Sequence, residues 1–329
     1  MDPKRTLIIQ SKFSPSKTSP SKISPSQRAS GIPAFILLGI FLAAVSSVSA
    51  FPQSASAQKG ASANELLRKA VDSELKGQSN DHSHWMYQVT ANDSGKKQVK
   101  WIVETSEGDL ARLSSVNGRP ITAEELKQED QRIQNLVQKP ADRKKQQRAQ
   151  QEDARQTENL FKMLPDAFNA KFGEHKNGMV EILIEPNPNF HPSSHEAEVF
   201  HTMEGRIWID EKQNRLAEIE GHLIHPVKFY GGLLGHLDEG GKFHVKQSEV
   251  GPGYWEITLL HVDMRGKALF FKTISVQQDE VRSNFQRVSD NLTLAQAAQE
   301  LQKQCAGQVT ANNNTHREDQ ARTKSSPQR

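Results

Sequence analysis

GRIWIDEKQNRLAEIEG, Gly205–Gly221, joins two alternating runs of side chains through a polar turn. Ile207 and Ile209 fall on one side of the first run and Trp208 on the other, because successive strand side chains point to opposite faces. On the return, Ala217, Ile219 and Leu223 oppose Leu216, Glu218, Glu220 and His222. That pattern predicts an antiparallel hairpin with one largely polar face. Asp210 and Arg215 serve in it as turn and cross-strand charges that hold the hairpin together. None of its residues stands in a catalytic pattern.

Working outward, the same chemistry recurs. MVEILIEPNP, EVFHTMEGRIWID, GKFHVKQSEV, GYWEITLLHVDM and KALFFKTISVQQDEV are strand-like runs separated by Gly, Asp or Asn. No helical pattern interrupts them, so neighbours are expected to pair antiparallel. Upstream, 84–91, 98–105 and 109–116 form a meander with turn residues between them, closed by Asn117-Gly118 and Pro120. Helices flank these runs. Ser62 stands three residues before Glu65 at the head of an amphipathic segment, and Thr122 stands three before Glu125, both with capping-box spacing. The second box opens a charged helical insertion, 122–164, bending at Pro140 and expected to be largely solvated. Residues 293–304 predict a closing helix. The expected fold class is α+β: an incomplete antiparallel β-barrel, or curved sheet, wrapped around or covered by helices, in a single domain over 61–304.

The ends of the chain differ from this middle. Residues 1–30 form a basic leader with repeated Ser-Pro-Ser, whose prolines deny it regular hydrogen bonding. Residues 31–57 hold an uncharged apolar run, Ile32–Phe51, followed by small residues at Ala50 and Ala57. Cations before an apolar run before small residues is the order of an export signal. Cleavage after Ala50 or Ala57 is the expectation, an uncleaved inner-membrane anchor through residues 32–51 the alternative. The polar tail, 305–329, is expected to be disordered. Formal charge is +3 for the whole chain, yet residues 1–50 carry six Lys/Arg against one Asp, which leaves about −2 for the exported part. Nucleic-acid binding loses its compositional basis, since counterion release needs a basic face. Cys305 is the single cysteine, so no internal disulfide can form.

Catalytic and metal chemistry both depend on spacing. His191, His195, His201, His222 and His225 invite a metal reading, but HEAEV at His195 lacks a second histidine one helical turn on. His222 and His225 are an odd number apart on a strand, which points them to opposite faces. The expectation is therefore no stoichiometric metal, no cofactor and no catalytic residue. GPGYW and YGGLLG match neither a nucleophile elbow nor a phosphate loop.

Two strands look apolar on both sides. Trp255, Ile257 and Leu259 line one face of a run whose other face has Tyr254, Leu260 and Val262, and Phe271 opposes Phe270 and Ile274. Such strands need cover on both sides. The succession MVEILIEPNP, MEGRIWIDEKQNRLAEIEGHL, GHLDEGGKFHVKQSEVGPGYWEITLL and GKALFFKTI resembles the LolA/LolB/RseB-like periplasmic lipoprotein-carrier and sensor proteins, over about 61–301. Gly205, Trp208, Ile209, Asp210, Arg215, Leu216 and Ile219 carry the most specific part of that resemblance. It implies a sheet wrapped on helices around an apolar cavity, with Trp208, Phe229, Trp255, Ile257, Leu259 and Phe271 as expected lining. The implied ligands are lipid or lipoprotein acyl chains, and envelope or inner-membrane proteins the implied partners. A lipid-independent sensor or scaffold of the same fold is the alternative, and a metal-dependent hydrolase a distant one.

Overall fold

A computed structural model describes residues 62–304, apart from 94, 139, 230–231, 233–234 and 269–271. The apolar run Ile32–Phe51, the tail with Cys305, and Phe271 lie outside the described residues. Helix α1 (Ala63–Asn80) leads into strands β1 (His84–Asp93), β2 (Lys96–Val103), β3 (Leu110–Val116) and the short β4 (Arg119–Pro120). Helices α2 (Ala123–Gln138) and α3 (Pro140–Ala167) follow, then β5 (Phe168–Lys176), β6 (Met179–Pro186), β7 (Met203–Asp210) and β8 (Arg215–Leu223). After β9 (Val227–Phe229) and β10 (Gly235–Leu237) come the long strands β11 (Lys242–Gly251), β12 (Tyr254–Ala268) and β13 (Lys272–Val288). A helix over 294–304, α4, closes the described chain.

All thirteen strands belong to one curved antiparallel sheet in the order β4-β3-β2-β1-β13-β12-β11-β8-β7-β6-β5, with β10 on β12 and β9 on β10. Its ends, β4 and β5, do not meet, so the barrel stays open. Both capping boxes form. Ser62 Oγ accepts from Glu65 N at 3.2 Å while Glu65 Oε2 accepts from Ser62 N at 2.8 Å. The Thr122–Glu125 pair repeats the arrangement at 3.3 and 2.6 Å. Each such cap contributes about 1 kcal/mol to its helix. Pro140 begins α3, where its missing N–H is no loss.

The quoted hairpin is β7 and β8. Ile207 and Ile209 are fully buried on one face while Trp208, on the other, pairs with Glu181 and Glu218. Burying each of these isoleucines is worth roughly 1.5–3 kcal/mol. Period-two counting fails on the return strand, because a bulge falls opposite Trp208 and Ile209. It brings Leu216 opposite Ile209, and Leu216 joins the same core as Ile219 and Leu223. Gly205 permits a close crossing: a Cβ there would lie 2.0 Å from the Glu220 carbonyl oxygen.

Two helical layers cover different parts of the sheet. On one face α1, the end of α3 and a 3₁₀ turn (Glu196–Thr202) pack Leu67, Val71, Leu160 and Phe200 onto β6–β8 and β12. On the opposite face α2 and α4 set Ile133, Leu294 and Leu301 against Met86, Trp101 and Val103. The charged insertion is therefore not simply solvated. Glu129 accepts from Leu113 N at 2.9 Å, and the buried Arg112 pairs with Asp130 at 2.7 Å, so α2 is tied to β3. β5 was missed in the sequence. It pairs with β6 across Asn177-Gly178, whose φ values of 54° and 77° suit a tight hairpin turn.

Candidate functional site

The face that receives α1 continues past the helices onto β1, β2 and β13. In β1, Trp85, Tyr87, Val89 and Ala91 share this face by alternation, and Ala91 lies level with Glu280, which is level with Leu260 of the main core. Trp85, Tyr87 and Val89 form a separate buried cluster with Ile102, Val250, Tyr254 and Phe285, and among the described residues no apolar helix residue belongs to it. Phe285 stacks on Tyr87 at 5.1 Å, and Trp85 meets Tyr254 edge-on at 5.7 Å. Two arginines lie over these rings. Arg287 is 4.8 Å from the Tyr254 centroid and 5.7 Å from Trp85, and Arg282 is 5.7 Å from Tyr87.

Beside the rings runs a seam of buried charges. Burial, reinforced by the Glu256 and Asp109 charges, pushes the Glu104 carboxyl up to about 8. Glu256 is pushed up to about 7, again by burial first and then by the Asp81 charge. Both therefore carry protons at or just below neutral pH. Burial also raises Tyr87 well above its ordinary range. For Arg282, burial works against the charge, but Tyr87, Glu280 and Glu256 outweigh it. Its Nη2 donates to Glu280 at 3.2 Å, while its buried Nε has no hydrogen-bond partner among the described residues. Buried titratable groups with shifted pKa values, set against a patch of aromatic rings, mark a candidate binding site.

At the other end of the seam, Arg215 makes a two-pronged pair with Glu74 of α1, at 2.9 and 3.0 Å. Arg215 was expected to act across the hairpin. It lies opposite Asp210 in register, yet its guanidinium reaches the helix, and Asp210 instead accepts from Gln213 N in the turn.

Of the residues expected from the sequence to line a cavity, the described ones, Trp208, Phe229, Trp255, Ile257 and Leu259, do not gather on one face. Phe229 packs against the main core. Trp208 and Leu259 lie on the opposite face, Leu259 level with Lys246 and with Val281, which is half exposed. Trp255 donates its indole N–H to Gln213 at 3.0 Å under the Arg215 guanidinium, and Ile257 sits level with Gln247. Among the described residues an open cavity of about 290 Å³ is bordered by Ala91, Asn92, Lys97 and Val281, and another of about 410 Å³ by Asn64, Arg68, Phe168 and Phe190. The aromatic cluster that the sequence reading passed over had one visible signal, the alternation of Trp85, Tyr87 and Val89. Its acids had none, because Glu104 and Glu256 lie far apart in the chain. His191, His195 and His222 are each engaged locally, with Asn189 O, Glu198 and Glu204. No family model, no curated protein and no solved structure matches this chain.

Proposed function

We propose that the protein is an exported, non-catalytic binding protein of the cell envelope that shields acyl chains of lipids or lipoproteins. One observation carries the reading: on the sheet face that receives α1, a second buried cluster of apolar and aromatic side chains lies beside the main core, and among the described residues its apolar members all come from strands and the β11–β12 turn. Arg282 and Arg287 lie over the rings of Trp85, Tyr87 and Tyr254 in this cluster, which also holds Phe285. Arg287, paired with the exposed Asp290, can swing aside at little cost, and an acyl chain laid on the rings gains about 0.8 kcal/mol per buried CH₂. The spare Nε of Arg282 suits an anionic headgroup at the end of such a chain. The apolar run Ile32–Phe51 and the likeness of the strand succession to lipoprotein carriers support the same reading.

Ligand entry then requires side chains, or α1 itself, to move. The lining also shifts from Leu259 to Phe285 and its neighbours. A long-chain fluorescent fatty acid, titrated into the purified protein, tests this. Phe285→Ala should weaken binding about tenfold, the worth of roughly two buried methylenes. Leu259→Glu, on the opposite face, should bind as the parent does. Circular dichroism melts of each variant separate lost binding from lost folding. A parent protein that binds no probe leaves the scaffold reading, which the bare face of β7, β8 and β11–β13 favours.

A further inference from the structure

The face that carries Trp208 and Leu259 has a row of polar side chains running across strands at one level. Arg206 of β7 lies level with Glu220 of β8, Glu220 with His244 of β11, and His244 with His261 of β12. One level along, Trp208, Glu218 and Lys246 stand in line. Register places Glu218, Glu220 and His244 on one small area. A ligand atom from each lies within 4.8 Å of the other two. His244 Nε2 is 2.8 Å from Glu218 Oε1 and 3.5 Å from Glu220 Oε1.

Arrangement of the neighbouring cations is what separates this cluster from an ordinary ladder of exposed charges. Lys246 Nζ holds Glu218 by its other oxygen, Oε2, at 2.9 Å. Arg206 likewise holds Glu220 by Oε2, with Nε at 2.7 Å. Both Oε1 atoms are left turned toward the imidazole. The cations occupy the position that outer partners take around a metal centre, fixing each carboxylate and leaving one oxygen for the ion. All three ligand residues are partly buried and stand on adjacent strands, so the donors are held by backbone pairing and not by a loop.

From this geometry we propose that Glu218, Glu220 and His244 form a divalent-cation site of one imidazole nitrogen and two carboxylate oxygens, suited to Zn²⁺. Zinc takes imidazole nitrogen and carboxylate oxygen in four-coordinate sites, so these three donors, after closing around the ion, would leave a fourth position for water. His244 binds the ion as neutral imidazole through Nε2, with its proton on Nδ1. The expectation from spacing, that the histidines take no stoichiometric metal, is reversed at this one position. The reason is that the ligands come from two strands, and no count along the chain places them together.

Equilibrium dialysis against Zn²⁺ at pH 7.5, with the whole exported chain and a competing weak chelator, tests the site. The expected result is one zinc per chain, weakened at least tenfold in His244→Ala and in Glu218→Gln. His222→Ala, which removes a histidine on the same face paired with Glu204, should bind zinc as the parent does. A zinc-dependent rise in melting temperature should appear in the parent and vanish in His244→Ala. No saturable zinc, or equal loss in His222→Ala, overturns the proposal and leaves a cross-strand charge ladder only.

Discussion

Arg215→Ala should destabilise the protein by about 3–5 kcal/mol, read from urea denaturation at neutral pH. Glu74, only 2% exposed, has its carboxylate held at both oxygens by this one guanidinium. Removing the arginine leaves a buried charge with its partner gone, and such a charge costs far more than the intact pair contributes. The side chain also fills space under α1 and lies 5.7 Å from the Trp255 centroid, so packing is lost as well. The double variant Glu74→Leu, Arg215→Met should recover most of the loss, since it removes both charges and keeps similar volume. A single-variant cost below about 1 kcal/mol would mean that Glu74 finds water or another partner, and that α1 is not pinned here.

Stability of the parent protein should fall as pH rises from about 5 to 9. The carboxyls of Glu104 and Glu256 titrate at about 8 and about 7 in the folded chain, against an ordinary value of 4.5. Raised folded values mean that the unfolded chain ionises first. The stabilisation is thus fully present below about pH 4.5 and is lost as pH passes 7 and then 8. At about 1.4 kcal/mol per unit, each group accounts for a few kcal/mol at most, and their mutual repulsion couples the two losses. Glu104→Gln should match the parent near pH 5 and exceed it by at least about 1 kcal/mol at pH 8.5. Gln keeps an oxygen for Trp85 N, which Glu104 Oε2 accepts at 3.0 Å, so the turn is preserved. Melting curves at the two pH values decide it. A parent whose stability is flat across this range, or a variant that falls equally, excludes the seam as the titrating element.

Legibility of the fold in the sequence followed the range of the interactions involved. The two capping boxes, the meander of β1–β3 and the β7–β8 hairpin were readable because each rests on contacts a few residues apart. A Ser or Thr and the Glu three positions on need only a helical turn between them, and alternation needs only a strand. β5 escaped although Asn177-Gly178 marks its turn. Phe172 is 48% exposed and the strand is otherwise polar after Ala170, so its apolar pattern is too thin to count. The phase of β8 also escaped, since one bulge moves Leu216 to the core side and nothing in RLAEIEG announces it.

The candidate sites were less legible, for a related reason. Trp208 and Leu259 were rightly seen as strand residues, but which face the helices cover depends on where α1, α3 and the 3₁₀ turn settle. Glu104 and Glu256 acquire shifted pKa values only once folding removes water and sets like charges near each other. By itself, the sequence determined the element types, the helix starts, the antiparallel pairing and the charge balance, all of which follow from local hydrogen bonding and composition. Only the tertiary structure decided which face is covered, that Arg215 reaches a helix 141 residues away, and that Glu218, Glu220 and His244 converge. Those outcomes depend on strand register and burial, and both are set by partners distant in the chain.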